Sequence, residues 1–149
     1  MAQTYFGSTL RAGSGTLTDT VDGGFVVMTQ TSTVTTVAAG TAVSVTEVLP
    51  ASSQILQIFI DQVVDEVVGG GTATAIAATV GTAAAGTQYV SSTAVISGGR
   101  AALTFTAAQL SAMSDIGTNT NVVLTIAPNG TISTTQGVYR LTVVYAQKV

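Results

Sequence analysis

The chain has no cysteine, no histidine and no tryptophan, and it is almost without charge. Each absence closes off chemistry. Without histidine or cysteine there is no Ser-His-Asp triad, no Cys-His dyad and no zinc site of the usual nitrogen and sulfur ligands. Without cysteine no disulfide can form in any compartment. Four Lys+Arg against seven Asp+Glu give a net charge of −3. Four cations cannot neutralise a run of phosphates, so no nucleic-acid partner is expected. Only 7% of the residues are charged, against a usual ~25%. Disordered chains combine few apolar residues with high net charge. This one is 46% hydrophobic, so a folded domain is expected.

The mean hydropathy of +0.55 raises the question of a membrane. Val67 to Gly99 carries no charge and is long enough to span a bilayer. Gly, Thr, Ser and Ala fill most of it, so it does not read as a span. Met1 to Phe6 has neither a basic nor an apolar signal region. The expectation is a soluble, unprocessed chain with no membrane partner.

What the chain does hold is threonine and valine. It has 27 Thr and 21 Val, together 48 of 149 residues. Branched side chains suit a pleated surface. The length fits one domain. Residues 1–24 show no clean period and read as an extended N-terminal arm; residues 25–149 read as the domain. Strands are expected from Phe25 to Val37, from Thr41 to Leu49 and from Gln54 to Val64. The last has apolar residues on both parities, which predicts a strand covered on both faces. Further strands are expected over Thr72 to Val80, Gln88 to Val90, Thr93 to Ser97 and Arg100 to Phe105. Asn121 to Ala127, then Thr131 to Thr135 and Val138 to Ala146, read as a hairpin around Pro128-Asn129-Gly130. One short helix is expected after Thr106, with Gln109 completing a capping box. Ala107, Leu110 and Met113 form its apolar side and Gly117 its C-cap. The fold class is therefore all-β with minor α, a β-sandwich or jelly-roll-like domain with one short helix.

Candidate chemistry is sparse. Asp61, Asp65 and Glu66 form the densest acidic cluster and could offer oxygen ligands to Ca²⁺. A solvated strand end that discourages edge pairing explains them better, and no cofactor is expected. Asp61 with Asp115 is the conceivable carboxylate pair of a glycosidase, but nothing in the sequence brings them together. The serines and threonines have no histidine partner, and the Gly-rich pieces match no phosphate-binding motif. No enzyme is expected. Asn129-Gly130-Thr131 fits a glycosylation acceptor, and a turn explains it better. Arg11 and Arg140 are candidates for interface ion pairs. Tyr5, Phe6 and Leu10, with Arg11, are the candidate partner-binding residues of the arm. Weakly charged Thr/Val strands suit a protein that lives in an assembly.

Three segments resemble small virion proteins of tailed bacteriophages. They are Gly81-Thr82-Ala83-Ala84-Ala85-Gly86-Thr87-Gln88-Tyr89-Val90, Arg100-Ala101-Ala102-Leu103-Thr104-Phe105-Thr106-Ala107-Ala108-Gln109-Leu110 and Gly137-Val138-Tyr139-Arg140-Leu141-Thr142-Val143-Val144-Tyr145. The family resembled is the capsid decoration, or cement, proteins. The resemblance implies a homotrimer on the outside of the head, made in the host cytoplasm and bridging major capsid protein subunits. Other virion parts (a head fibre, a head–tail connector, a tail protein) and a carbohydrate-binding or adhesive β-sandwich are the alternatives.

Overall fold

The computed structural model describes residues 25–66, 70–95, 98–132 and 135–148. They form β1 (Phe25–Thr35), β2 (Val43–Leu49), β3 (Ser53–Val64), β4 (Ile76–Gly81), β5 (Val90–Ala94), β6 (Gly99–Arg100), α1 (Ala107–Ser114), β7 (Thr120–Pro128) and β8 (Val138–Lys148). The expected arm over residues 1–24 lies outside the described residues.

The strands make two four-stranded antiparallel sheets. The first runs β1-β8-β3-β6 and the second β2-β7-β4-β5. First pairs with eighth, second with seventh, third with sixth and fourth with fifth. A long antiparallel ribbon rolled up in this way is a jelly roll, so the fold class follows the sequence expectation.

The two inner faces supply the core. Ile55, Ile58 and Ile60 of β3 and Tyr139, Leu141, Val143 and Tyr145 of β8 meet Ile76, Ala78 and Val80 of β4 and Val122, Leu124 and Ile126 of β7. All are buried. Each large apolar side chain gains roughly 1.5–3 kcal/mol on leaving water. With no disulfide available, this layer holds the fold. One side of the sandwich is closed by β1 and β2: Gln30 Nε2 donates to the Val48 carbonyl at 3.1 Å and Ser32 Oγ donates to Glu47 Oε1 at 2.9 Å. The other side is closed by the segment through α1 to Ile116, with Leu103, Phe105 and Met113 packed on the core.

Several sequence expectations are corrected. β3 is covered on one face only. A register shift between Ile55 and Gln57 puts Ile55, Ile58 and Ile60 together on the inside and leaves Leu56 exposed; a bulge of one residue reverses the alternation. β7 and β8 are not a hairpin, because they belong to different sheets. The Pro128-Asn129-Gly130 turn starts a crossover, and Asn129 Oδ1 accepts from the Thr74 and Ala75 backbone N–H groups. β4 starts only at Ile76, since this tie holds the preceding residues out of the ladder. A single strand, Val90–Ala94, replaces the two expected around it. After Arg100 the chain leaves the ladder, although Ala101, Leu103 and Phe105 still face the core as expected. The capping box is present, but the helix buries Gln109 and Met113 and exposes Leu110. Gln109 Nε2 reaches the Thr87 carbonyl and Ser91 Oγ, so a polar contact sets the docking face. Gly117 is not the C-cap. Asp115 ends the helix in an extended conformation because Ile116 bridges to Ser53.

Candidate functional site

The outer face of the first sheet is the surface most distinct from its surroundings. On β1 it carries Val27, Thr29, Thr31, Thr33 and Thr35, all exposed. Their partners on β8 are Ala146, Val144, Thr142, Arg140 and Val138, and β3 adds Gln54, Gln57, Phe59 and Asp61 in the same rows. The strand alternation alone puts them there, since the intervening residues fill the core. Thr31 and Thr142 hydroxyls meet at 3.3 Å in the middle of the face.

Among the described side chains three charged ones stand on this face, and they are bound to one another. Arg100 Nε donates to Asp61 Oδ1 at 2.7 Å, and Arg140 NH2 donates to Asp61 Oδ2 at 3.1 Å. The Arg100 guanidinium also lies 4.2 Å from the centre of the Phe59 ring, a cation–π contact. Asp61 is buried beneath the two arginines. The Arg100 hydrogen bond, with Arg140 adding to it, holds the Asp61 carboxyl below its ordinary value. The cluster is thus a clamp in which two partly exposed arginines cover one buried carboxylate.

The opposite sheet differs. The loop after β4 folds over its outer face, and the Ala85 N–H donates to Thr125 Oγ1 at 2.8 Å. Thr125 and Val123, which point outward there, are buried. Ser44, Thr46 and Val48 of β2 stay exposed, so the loop covers part of this face.

The acidic residues do not assemble into a site. Asp61 faces the arginines, while Glu66 Oε1 accepts from the Tyr139 hydroxyl at 2.6 Å. Among the described residues no three His, Cys, Asp or Glu side chains are grouped to hold a metal ion. Asp115 adjoins Ile116, which bridges to Ser53 at the far end of β3 from Asp61. Eight residues of strand separate the two ends, on the order of 25 Å, too far for a carboxylate pair. Arg140, expected to serve an interface ion pair, is bound within its own chain. Tyr89, Tyr139 and Tyr145 are buried and Phe59 is covered by Arg100, so these rings offer no sugar-stacking platform. Among the described residues no helix is long and apolar enough to cross a membrane.

Tyr5, Phe6, Leu10 and Arg11 lie outside the described residues. Sequence reasoning missed the Asp61–Arg100–Arg140 clamp. Its signal was weak: Arg100 and Arg140 are far apart in sequence, and only the β3–β8–β6 register brings them to one carboxylate. Comparisons of this chain with protein-family models, with curated proteins and with solved structures find no match.

Proposed function

We propose that the protein is a non-enzymatic virion component, a capsid decoration protein. It would bind the exterior of a phage head as a homo-oligomer and bridge neighbouring major capsid protein subunits. The observation that carries this reading is the open outer face of the first sheet. It is broad and rich in Thr and Val, and its described charges, Asp61, Arg100 and Arg140, are bound to one another with a net of +1. Such a face loses little on dehydration and repels no neighbour, as a contact surface requires. The jelly-roll architecture also occurs in viral capsid domains, which is an analogy of fold and not of function. The resemblance of three segments to decoration proteins agrees with it. Many weak contacts repeated over a lattice would supply the affinity.

The test is to add purified protein to undecorated heads of the phage that encodes it. Co-sedimentation with the heads and a rise in head melting temperature are expected. Protein left in the supernatant with no shift in melting would overturn the proposal.

A further inference from the structure

Asn129-Gly130 is the only asparagine–glycine pair in the chain. The amide carbon of an asparagine can be attacked by the backbone nitrogen of the next residue. A bond forms between that nitrogen and Cγ and closes an imide ring. The nitrogen gives up its proton, and Nδ2 leaves as ammonia. Water then opens the ring to an aspartate or to an isoaspartyl link, in which the main chain runs through Cβ and Cγ. Glycine favours the attack because no Cβ crowds its nitrogen. The other two asparagines precede branched residues, Asn119 before Thr120 and Asn121 before Val122. Branching at Cβ crowds the same approach.

The fold holds this pair still. Asn129 Oδ1 accepts from the Thr74 N–H at 2.8 Å and from the Ala75 N–H at 3.0 Å, and Nδ2 donates to Thr74 Oγ1 at 3.0 Å. The Asn129 N–H donates to the Ala75 carbonyl at 3.0 Å. On the far side of Gly130, the Thr131 N–H donates to Thr72 Oγ1 at 3.0 Å, and the Thr131 carbonyl accepts from the Thr72 and Ala73 N–H groups. Gly130 itself is packed so closely that a Cβ there would lie 2.6 Å from Thr72 Oγ1 and 2.8 Å from the Ala73 nitrogen. Attack needs the reacting atoms roughly 3–3.5 Å apart and aligned. Here the amide is tied at both ends to residues 74 and 75, and the attacking nitrogen has no room to swing. Asn129 is nevertheless exposed, so water reaches it.

We propose that Asn129 is a modification site gated by this tie. It stays an amide while residues 72–75 are docked and converts to the isoaspartyl form once they part from residues 129–131. The conversion is one-way for the fold. Thr74 Oγ1 loses its donor, and the main chain gains a carbon beside Gly130. The close packing of Gly130 on Thr72 and Gly40 has no space for it. An opened crossover that has been modified therefore does not close again. The inference rests on the tie and is independent of the capsid reading.

The full chain is incubated at neutral pH, folded and in urea, and conversion at each asparagine is followed by mass spectrometry of its peptides. Asn129 should convert in urea on the order of a hundredfold faster than in the folded chain, the effect of three side-chain hydrogen bonds of ordinary strength. Asn119 and Asn121 should stay unmodified in both. Equal rates at Asn129 in the two conditions would overturn the gating. Thr74→Val removes the acceptor of Nδ2 and leaves the backbone bonds, so the folded variant should convert several-fold faster than the natural chain. An unchanged rate in that variant, with its circular dichroism also unchanged, would overturn the part given to the side-chain tie. The isoaspartyl chain made in urea carries an added negative charge and is isolated by ion exchange. After removal of urea it should melt below the natural chain; equal melting would overturn the one-way step.

Discussion

Glu47, Glu66 and Asp61 set how the fold responds to pH. Glu47 sits between the sheets, with Oε1 bonded to Ser32 and Oε2 buried without a partner. Burial raises its pKa above 4.5, only partly offset by the Ser32 bond. Burial also raises Glu66, against the lowering effect of the Tyr139 hydroxyl. A raised carboxyl binds a proton in the folded state where the unfolded chain has lost it, so stability falls as pH rises from 4.5 through the folded value. Asp61 works the other way: its lowered pKa gives stability that is lost as pH falls below 3.8. The urea midpoint should therefore be greatest near these two ordinary values and lower at pH 8. Glu47→Gln should flatten the decline above pH 4.5, and an unchanged decline would show that Glu47 has no part in it. Asp61→Asn should lower the midpoint at neutral pH and converge with the natural chain in strong acid.

Elements were legible wherever a local signal decided them. The capping box of Thr106 and Gln109 is one such case, with the Gln109 N–H donating to Thr106 Oγ1 at 3.2 Å and the Thr106 N–H to Gln109 Oε1 at 2.9 Å. Thr106→Ala should cost about 1 kcal/mol in thermal or urea unfolding. β1, β2 and β3 were legible from their branched residues and turn signals. Where a distant partner decided the outcome, the sequence was silent. The bulge at Leu56 depends on how β3 meets β8, and the fate of the Pro128 turn depends on Thr72 to Ala75. Gly40 belongs to the same tertiary knot. It has φ +70°, and a Cβ there would overlap the Gly130 carbonyl. Gly40→Ala should destabilise by more than about 1 kcal/mol, from strain and overlap together. A neutral result would mean that the loops around Gly40 and Gly130 shift freely.

On the scale of the whole molecule, the low charge of the sequence takes on a place. Charge-free stretches run from Gly23 to Thr46, Val67 to Gly99 and Ile116 to Tyr139. In the second sheet they lie partly under a covering loop; in the first they make an open face of Thr and Val. Composition foretold such a surface but not which sheet would carry it, because the loop after β4 is placed by a tertiary hydrogen bond. The clamp of Asp61, Arg100 and Arg140 was hidden for the same reason. The proposed contact with a phage head is made through this face. Thr142 lies in its middle, between Thr31 and Phe59. The direct measurement is head melting temperature with the natural protein and with Thr142→Glu, at equal and saturating concentration. A rise is expected with the natural protein and loss of that rise with Thr142→Glu. An equal rise with both, or none with the natural protein, would contradict it.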